Sequence, residues 1–159
     1  MRKKFAELIY NDMTHNEQIW VVTADLGYKM WDKCFLDFPE RCINVGAAEE
    51  AMLGIATGLA WSGKIPICYS ITNFLLYRPF EWIRNYLAIG QAPVKLIASG
   101  RGRDYVDGGI THWSDDAEGI LSNFKQSIIQ YWPKTEEALP DIVRETLQNN
   151  KPTFISLRR

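Results

Sequence analysis

Cysteine and histidine are too scarce in this 159-residue sequence for a metal site or a disulfide framework. Cys34, Cys42 and Cys68 are an odd number with no CxxC spacing, so reduced thiols are expected, with Cys68 buried in a strand. A surplus of one charge is also missing: 18 Lys and Arg against 19 Asp and Glu leave a net charge of −1. That balance lacks the basic footprint of a nucleic-acid binder or of a protein held to an anionic membrane. No apolar run approaches the roughly 20 residues of a membrane span. The N-terminal MRKKFAELIYNDM has a basic start but no long apolar run after it. It reads as an amphipathic helix and not as a signal peptide, so a soluble, cytoplasmic protein is expected. Neither GxGxxG nor GxxxxGK[ST] follows a strand-like run, which removes the dinucleotide fingerprint and the P-loop. Repeats, low-complexity tracts and linkers are absent as well, so residues 1–159 are expected to form one domain.

Tryptophan, in contrast, is plentiful. Six in a chain of this length exceed what a small core needs, and several are expected to face another protein chain.

Short apolar runs alternate with helical patterns from end to end. Strands are expected at Ile19 to Val22, Ile43 to Val45, Ile65 to Ile71, Val94 to Ala98, Ser127 to Tyr131 and Thr153 to Leu157. Helical spacing appears in Phe5, Leu8, Ile9 and Met13, in Ala47 to Trp61, in Phe80 to Ile89 with Gly90 as C-cap, and in Glu136 to Asn149, where Pro140 disturbs the first turn. Strands separated by helices predict an α/β fold: a doubly wound, mostly parallel sheet of about six strands with helices on both faces. Ligands of such sheets gather beyond the carboxyl ends of the strands. Those ends are Asp25, the segment Gly46-Ala47-Ala48-Glu49, the segment Ile71-Thr72-Asn73-Phe74, and the loop from Ser99 to His112.

Two acids, Glu49 and Glu50, open a helix that is otherwise small and apolar. Acids in a first turn are ordinary helix capping. A helix this apolar must be closely buried, however, and a carboxyl at its start then needs a specific partner, which makes it a candidate for chemistry. The loop Gly100 to His112 has four glycines, Gly100, Gly102, Gly108 and Gly109, which let backbone approach a small molecule. His112 ends this loop, and a structural histidine is the plain alternative. His15 reads as exposed loop. Phe74, Tyr77, Phe80 and Trp82, taken singly, are consistent with core aromatics.

In order, these pieces resemble the pyrimidine-binding domain of thiamine-diphosphate enzymes of the transketolase group. Val22 to Gly27 is similar to that family's first strand ending in Asp-Leu, and Ile43 to Glu49 to its run ending in the Glu-bearing helix start. Ser70 to Arg84 resembles the segment of aromatics three apart followed by Arg-x-aromatic-acid-x-aliphatic-Arg. Gly109-Ile110-Thr111-His112 resembles Gly-Pro-Thr-His, and Pro152-Thr153 resembles the Gly-Pro-Thr before the last strand. The resemblance implies catalytic roles for Glu49 and His112 and cofactor contacts from Asp25, Ile71, Phe74 and Tyr77. Glu49 stands where a glutamate bonds the ring nitrogen opposite the amino group of thiamine diphosphate, and His112 where a histidine approaches the reacting centre. Phe74 and Tyr77 match two of three ring-packing aromatics, and Ile71 replaces the first.

Departures from the pattern bear on substrate. Gly100, Gly108 and Trp132 stand where transketolases carry a histidine, an acid and an arginine that read a ketose phosphate; Arg101 and Arg103 offer an anion site by another route, or are solvated charges. The family's Gly-Asp-Gly motif for metal and diphosphate is missing, as are its diphosphate-binding and C-terminal domains. The resemblance therefore implies a subunit of a split enzyme, active on a small-molecule substrate. Thiamine diphosphate would be shared with a diphosphate-binding partner subunit, which holds Mg2+ in an α2β2 heterotetramer. A β subunit of a 2-oxo acid dehydrogenase or decarboxylase shares the same domain order. A non-catalytic binding module of this fold is the alternative of another class.

Overall fold

The apolar runs become the six strands of one sheet in a computed structural model that describes all of residues 1–159. They are β1 (Ile19–Thr23), β2 (Cys42–Asn44), β3 (Ile65–Ile71), β4 (Lys95–Ser99), β5 (Ile129–Tyr131) and β6 (Thr153–Leu157), in the order β2-β1-β3-β4-β6-β5. Every adjacent pair is parallel. Successive side chains of a strand point to opposite faces, and both faces of this sheet are covered, so the strands read as continuous apolar runs.

Val22, Cys68, Leu96, Ala98 and Phe154 point to one face. They pack against Met52, Leu53 and Ala56 of α3 (Glu49–Trp61) and Leu75 and Leu76 of α4 (Thr72–Tyr77). Their sequence neighbours Val21, Ile67, Ile97 and Ile155 point the other way. There they meet Phe5, Ile9 and Met13 of α1 (Arg2–Met13), Cys34 of α2 (Asp32–Asp37), and Leu139 and Val143 of α7 (Leu139–Gln148). All three cysteines are buried, and burial pushes the Cys34 thiol up to about 11 and that of Cys42 to about 12.

Several boundaries move from the sequence-based expectations. The helix expected from Ala47 starts at Glu49, because Ala48 is non-helical at φ −132° and ψ 71°. The helix expected over Phe80 to Ile89 is a short α-helical turn, α5 (Phe80–Trp82), that widens into a π-helix over Ile83–Ile89. Gly90 does cap it, but in the right-handed region at φ −75°, donating its N–H to the carbonyl of Asn85. Pro140 does not break its helix: it sits in the first turn of α7, where a missing N–H costs nothing. The residues before it, Glu136–Ala138, form a 3-10 turn. Helices α2, α4 and α6 (Ala117–Ser122) have no counterpart in the sequence pattern; each has six residues, too few for a helical period to show. Of the six tryptophans only one is withdrawn from solvent within this chain, and five keep surface that another chain could cover. Trp31 is buried, Trp20, Trp82, Trp113 and Trp132 are half-buried, and Trp61 alone stands mostly in solvent.

Lys95, at the start of β4, is 1% exposed, and its Nζ donates to Asn149 O (3.0 Å), Asn149 Oδ1 (2.9 Å) and Lys151 O (2.7 Å). It staples the loop after α7 to the sheet with three neutral acceptors, and burial lowers its pKa to about 8. In the unfolded chain a lysine titrates near ~10.4. Below about pH 8 both states hold the proton, and the folded state bears the whole burial penalty. Between about pH 8 and ~10.4 the unfolded state binds more protons, so the Lys95 contribution to stability rises with pH. Urea unfolding of the parent and Lys95→Met across that range should show the parent gaining on the variant. The buried thiols, which lose stability as pH rises, cancel in this comparison. Parallel pH profiles for the two proteins would show that the Lys95 pKa is not lowered by folding.

Candidate functional site

β1, β2, β3 and β4 end on one edge of the sheet, and the segments that follow them carry Asp25, Glu49, Ile71, Phe74, Tyr77 and His112. Glu49 is the first residue of α3, directly after the turn that leaves β2. Its side chain is 3% exposed, and Oε1 accepts a hydrogen bond from a terminal guanidinium nitrogen of Arg78 at 2.8 Å. The helix N-terminus favours the negative charge, and the guanidinium offsets much of the cost of burying it. A shallow depression of about 540 Å³ opens beside this pair, lined by Ala47, Ala48, Glu50 and Ala51 as well as Glu49 and Arg78.

Phe74, in the middle of α4, joins the rest of the site to this pair. Arg78 lies over its ring at 4.0 Å, and the His112 imidazole meets it edge-on with ring centroids 5.0 Å apart. His112 Nδ1 lies 2.9 Å from Thr111 Oγ1 and 3.3 Å from Gly108 O. The Thr111 hydroxyl donates to that same carbonyl at 3.0 Å, so its oxygen is left to accept from Nδ1–H. The proton is thereby assigned to Nδ1, and Nε2 is the free acceptor.

Glu49, Phe74 and His112 are thus linked, with Arg78 between the first two. The remaining expected residues stand apart along the same edge. Ile71, the N-cap of α4, lines a separate cavity of about 280 Å³ with Leu26, Tyr69 and Tyr105. Asp25 is exposed at φ 54°, its N–H bonded to Asn44 Oδ1 at 3.0 Å, in a third hollow floored by Thr23 and Trp31. Tyr77 gives its hydroxyl to Asp116 Oδ1 at 2.6 Å; burial and that carboxylate push its pKa up.

The loop after β4 explains two of the departures noted in the sequence. Gly100 has φ +82°, and a Cβ there would come within 2.3 Å of the Tyr105 ring. A Cβ on Gly108 would come within 2.4 Å of the His112 ring. Both positions must lack a side chain for Tyr105 and His112 to be seated. Of the two loop arginines, Arg101 is engaged within the chain, whereas Arg103 is a solvated surface charge with its side chain 64% exposed. Arg101 is half-buried and donates to Ser156 Oγ and Pro133 O, each at 3.1 Å, which ties the loop to β6. Arg103 pairs with Asp115 at 2.9 Å and lies over Trp113. Trp132 packs on Phe154. Arg78 is the residue that sequence reasoning passed over. It opens the Arg-x-aromatic-acid-x-aliphatic-Arg motif noted above, and its spacing of four from Phe74, at the C-cap of α4, was the available signal.

Fold and edge together define a doubly wound α/β domain whose strand-end edge holds one buried carboxylate, joined through Arg78 to an aromatic ring that an imidazole meets edge-on. The model for the transketolase pyrimidine-binding domain matches residues 1–159, and the chain belongs to that family. A 6-deoxy-6-sulfo-D-fructose transketolase subunit from Clostridium sp. (strain MSTE9) is 30% identical over 160 residues, covering 100% of this chain and 49% of that one. An apulose-4-phosphate transketolase subunit from Actinobacillus succinogenes is 30% identical over 121 residues, 76% of this chain and 39% of that one. A split-gene transketolase solved as an inactive β4 tetramer superposes with a TM-score of 0.86 at 28% identity, over 99% of this chain and 51% of that chain. Transketolase from Campylobacter jejuni has the same fold at a TM-score of 0.86 and 20% identity. The chain spans about half the length of the first curated relatives it matches. No helix is long and apolar enough to cross a membrane.

Proposed function

We propose that this chain is the aminopyrimidine-binding half of a split, thiamine-diphosphate-dependent transketolase-like transferase. Its reaction is two-carbon (ketol) transfer, or a related making or breaking of a carbon–carbon bond beside a carbonyl. The observation that carries this reading is the buried carboxylate of Glu49, at the sheet's ligand edge in a chain of the transketolase family.

The residues present fit the ring of the cofactor. Glu49 is buried, yet its one protein partner is the mobile end of a half-exposed arginine. Phe74 presents an aromatic wall next to it, and the small side chains Ala47, Ala48 and Ala51 leave the space beside it open. When bound, thiamine diphosphate supplies a stabilised carbanion equivalent for carbonyl chemistry. Glu49 holds the proton at the ring nitrogen opposite the amino group. Phe74 packs the ring and fixes its tilt. His112, with its Nδ1 tied to Thr111, gives or takes a proton at the reacting atoms through Nε2. Asp25, Ile71 and Tyr77 stand apart from this cluster on the same sheet edge, where they would meet the cofactor or substrate away from Glu49. The diphosphate and Mg2+ fall to a diphosphate-binding partner chain in an α2β2 assembly. The names of the two transketolase subunits among the relatives support ketol transfer.

Phe74→Ala tests the pocket. An aromatic stack in an apolar site is worth about 0.5–1.5 kcal/mol beyond area burial, so thiamine diphosphate should bind several-fold more weakly to the assembled enzyme. Calorimetry on the two-chain complex measures this. An unchanged dissociation constant would return Phe74 to the core.

A further inference from the structure

Arg78 occupies both features that the preceding reading assigns to the aminopyrimidine. Its guanidinium is flat, lies over the Phe74 ring at 4.0 Å, and donates to Glu49 Oε1 at 2.8 Å. A ring that stacks on Phe74 and bonds Glu49 presents the same combination: a flat face on the same aromatic and a hydrogen bond to the same carboxylate. We infer that Arg78 is an exchange residue, which fills the place of the aminopyrimidine in the cofactor-free chain and releases Glu49 and Phe74 when the ring arrives. The inference rests on the reading of Glu49 and Phe74 as ring-binding residues.

Each partner's surroundings suit such an exchange. The Glu49 side chain is 3% exposed, and a buried carboxylate left alone is costly. Some donor must hold it before the cofactor is present. Arg78, in contrast, is 49% exposed, so its guanidinium has water to return to and no buried charge is stranded when it leaves. Its backbone stands at the junction of α4 and Pro79, outside both regular helices. Swinging the side chain away breaks one side-chain hydrogen bond, that to Glu49. Arginine suits this task better than lysine, because its planar head both stacks and donates. The consequence is thermodynamic. Ring binding must displace an existing ion pair and cation–π contact, so the apparent affinity of the half-site is lowered by the stability of that closed state. The deficit is recovered only when the partner chain adds its own contacts to the cofactor.

The ring end alone is the suitable probe, since this chain supplies that end by itself. NMR titration of the full, 15N-labelled chain with 4-amino-5-hydroxymethyl-2-methylpyrimidine measures its affinity. Amide spectra verify that each variant is folded. Arg78→Ala should bind the probe roughly 5-fold or more tightly than the parent, from the loss of one competing charge-assisted contact and one cation–π contact. Arg78→Lys, which keeps the charge and loses the plane, should fall between them. Glu49→Gln and Phe74→Ala should bind more weakly than the parent. Tightening in neither Arg78 variant, with the Glu49 and Phe74 variants weakened, overturns the exchange and leaves the ring site standing. Equal binding by parent, Glu49→Gln and Phe74→Ala overturns the ring site itself.

Discussion

Replacing Glu49 by Gln in the complete two-chain enzyme is expected to lower turnover by roughly 10²- to 10⁴-fold, the usual contribution of a positioned acid–base group. Glutamine matches glutamate in size, and the position is 4% exposed, so packing is undisturbed. What would be lost is the group proposed to hold a proton at the ring nitrogen. The fold should survive, because the residue left without its ion-pair partner is Arg78, whose side chain is half in solvent. Equal melting temperatures with a collapsed kcat separate this outcome from misfolding. Glu49→Ala should lose as much activity, with an added penalty in cofactor affinity. Turnover within a few-fold of the parent at saturating thiamine diphosphate and Mg2+ would remove Glu49 from the mechanism. His112 would then be the remaining candidate for the proton-handling group.

The second large effect is all-or-none. The isolated chain is expected to be inactive with thiamine diphosphate and Mg2+, and to gain activity when mixed with a diphosphate-binding chain of the transketolase type. Glu49, Phe74 and His112 form one linked cluster suited to a flat ring. A diphosphate, with several negative charges, needs a cation and oxygen ligands, which the proposed partner would contribute. The exposed aromatic and aliphatic side chains of Trp61 and Ile55 on α3, and of Tyr86 and Ile89 on the π-helical segment, offer a surface for association. Trp61 and Tyr86 already meet edge-on there, with ring centroids 6.0 Å apart. Large exposed apolar side chains of this kind mark contact surfaces. Light scattering on the chain alone and on the mixture, with activity assayed on the same samples, checks the prediction, and a two-plus-two complex is the expected active species. A lone monomer turning over substrate would refute the split-enzyme reading.

Much of the architecture was legible before any coordinates. β3 and β6 occupy the expected spans Ile65–Ile71 and Thr153–Leu157, because strands buried on both faces leave unbroken apolar runs. The long helices were legible from their period or from their small residues. Short helices were not: α4 holds Phe74, but six residues give less than two turns from which to read a period. The candidate acid was visible as a carboxyl opening an apolar helix, and its neighbours Phe74 and His112 as members of an ordered set of motifs. Their grouping was not visible. Ile71, Asp25 and Tyr77, read together with them, line other hollows or hold other partners on the same edge.

By itself, then, the sequence determined the fold class, the parallel sheet, the edge at which the strands' carboxyl ends lie, and the presence of two acids, Glu49 and Glu50, at the start of an apolar helix there. These follow from local alternation and from residues adjacent in the chain, which set backbone preference and burial directly. Only the tertiary structure decided what Glu49 meets. Arg78 is 29 positions away from Glu49, and the two come together because β1 lies between β2 and β3 and brings α3 and α4 to the same edge of the sheet. The emptiness of Gly100 and Gly108 belongs to that level too. At each, an aromatic ring from elsewhere on the loop, Tyr105 for one and His112 for the other, fills the space a side chain would need and would have to shift to admit one. A buried charge or ring is satisfied by whatever the fold delivers to it in three dimensions, and neither residue spacing nor composition carries that distance.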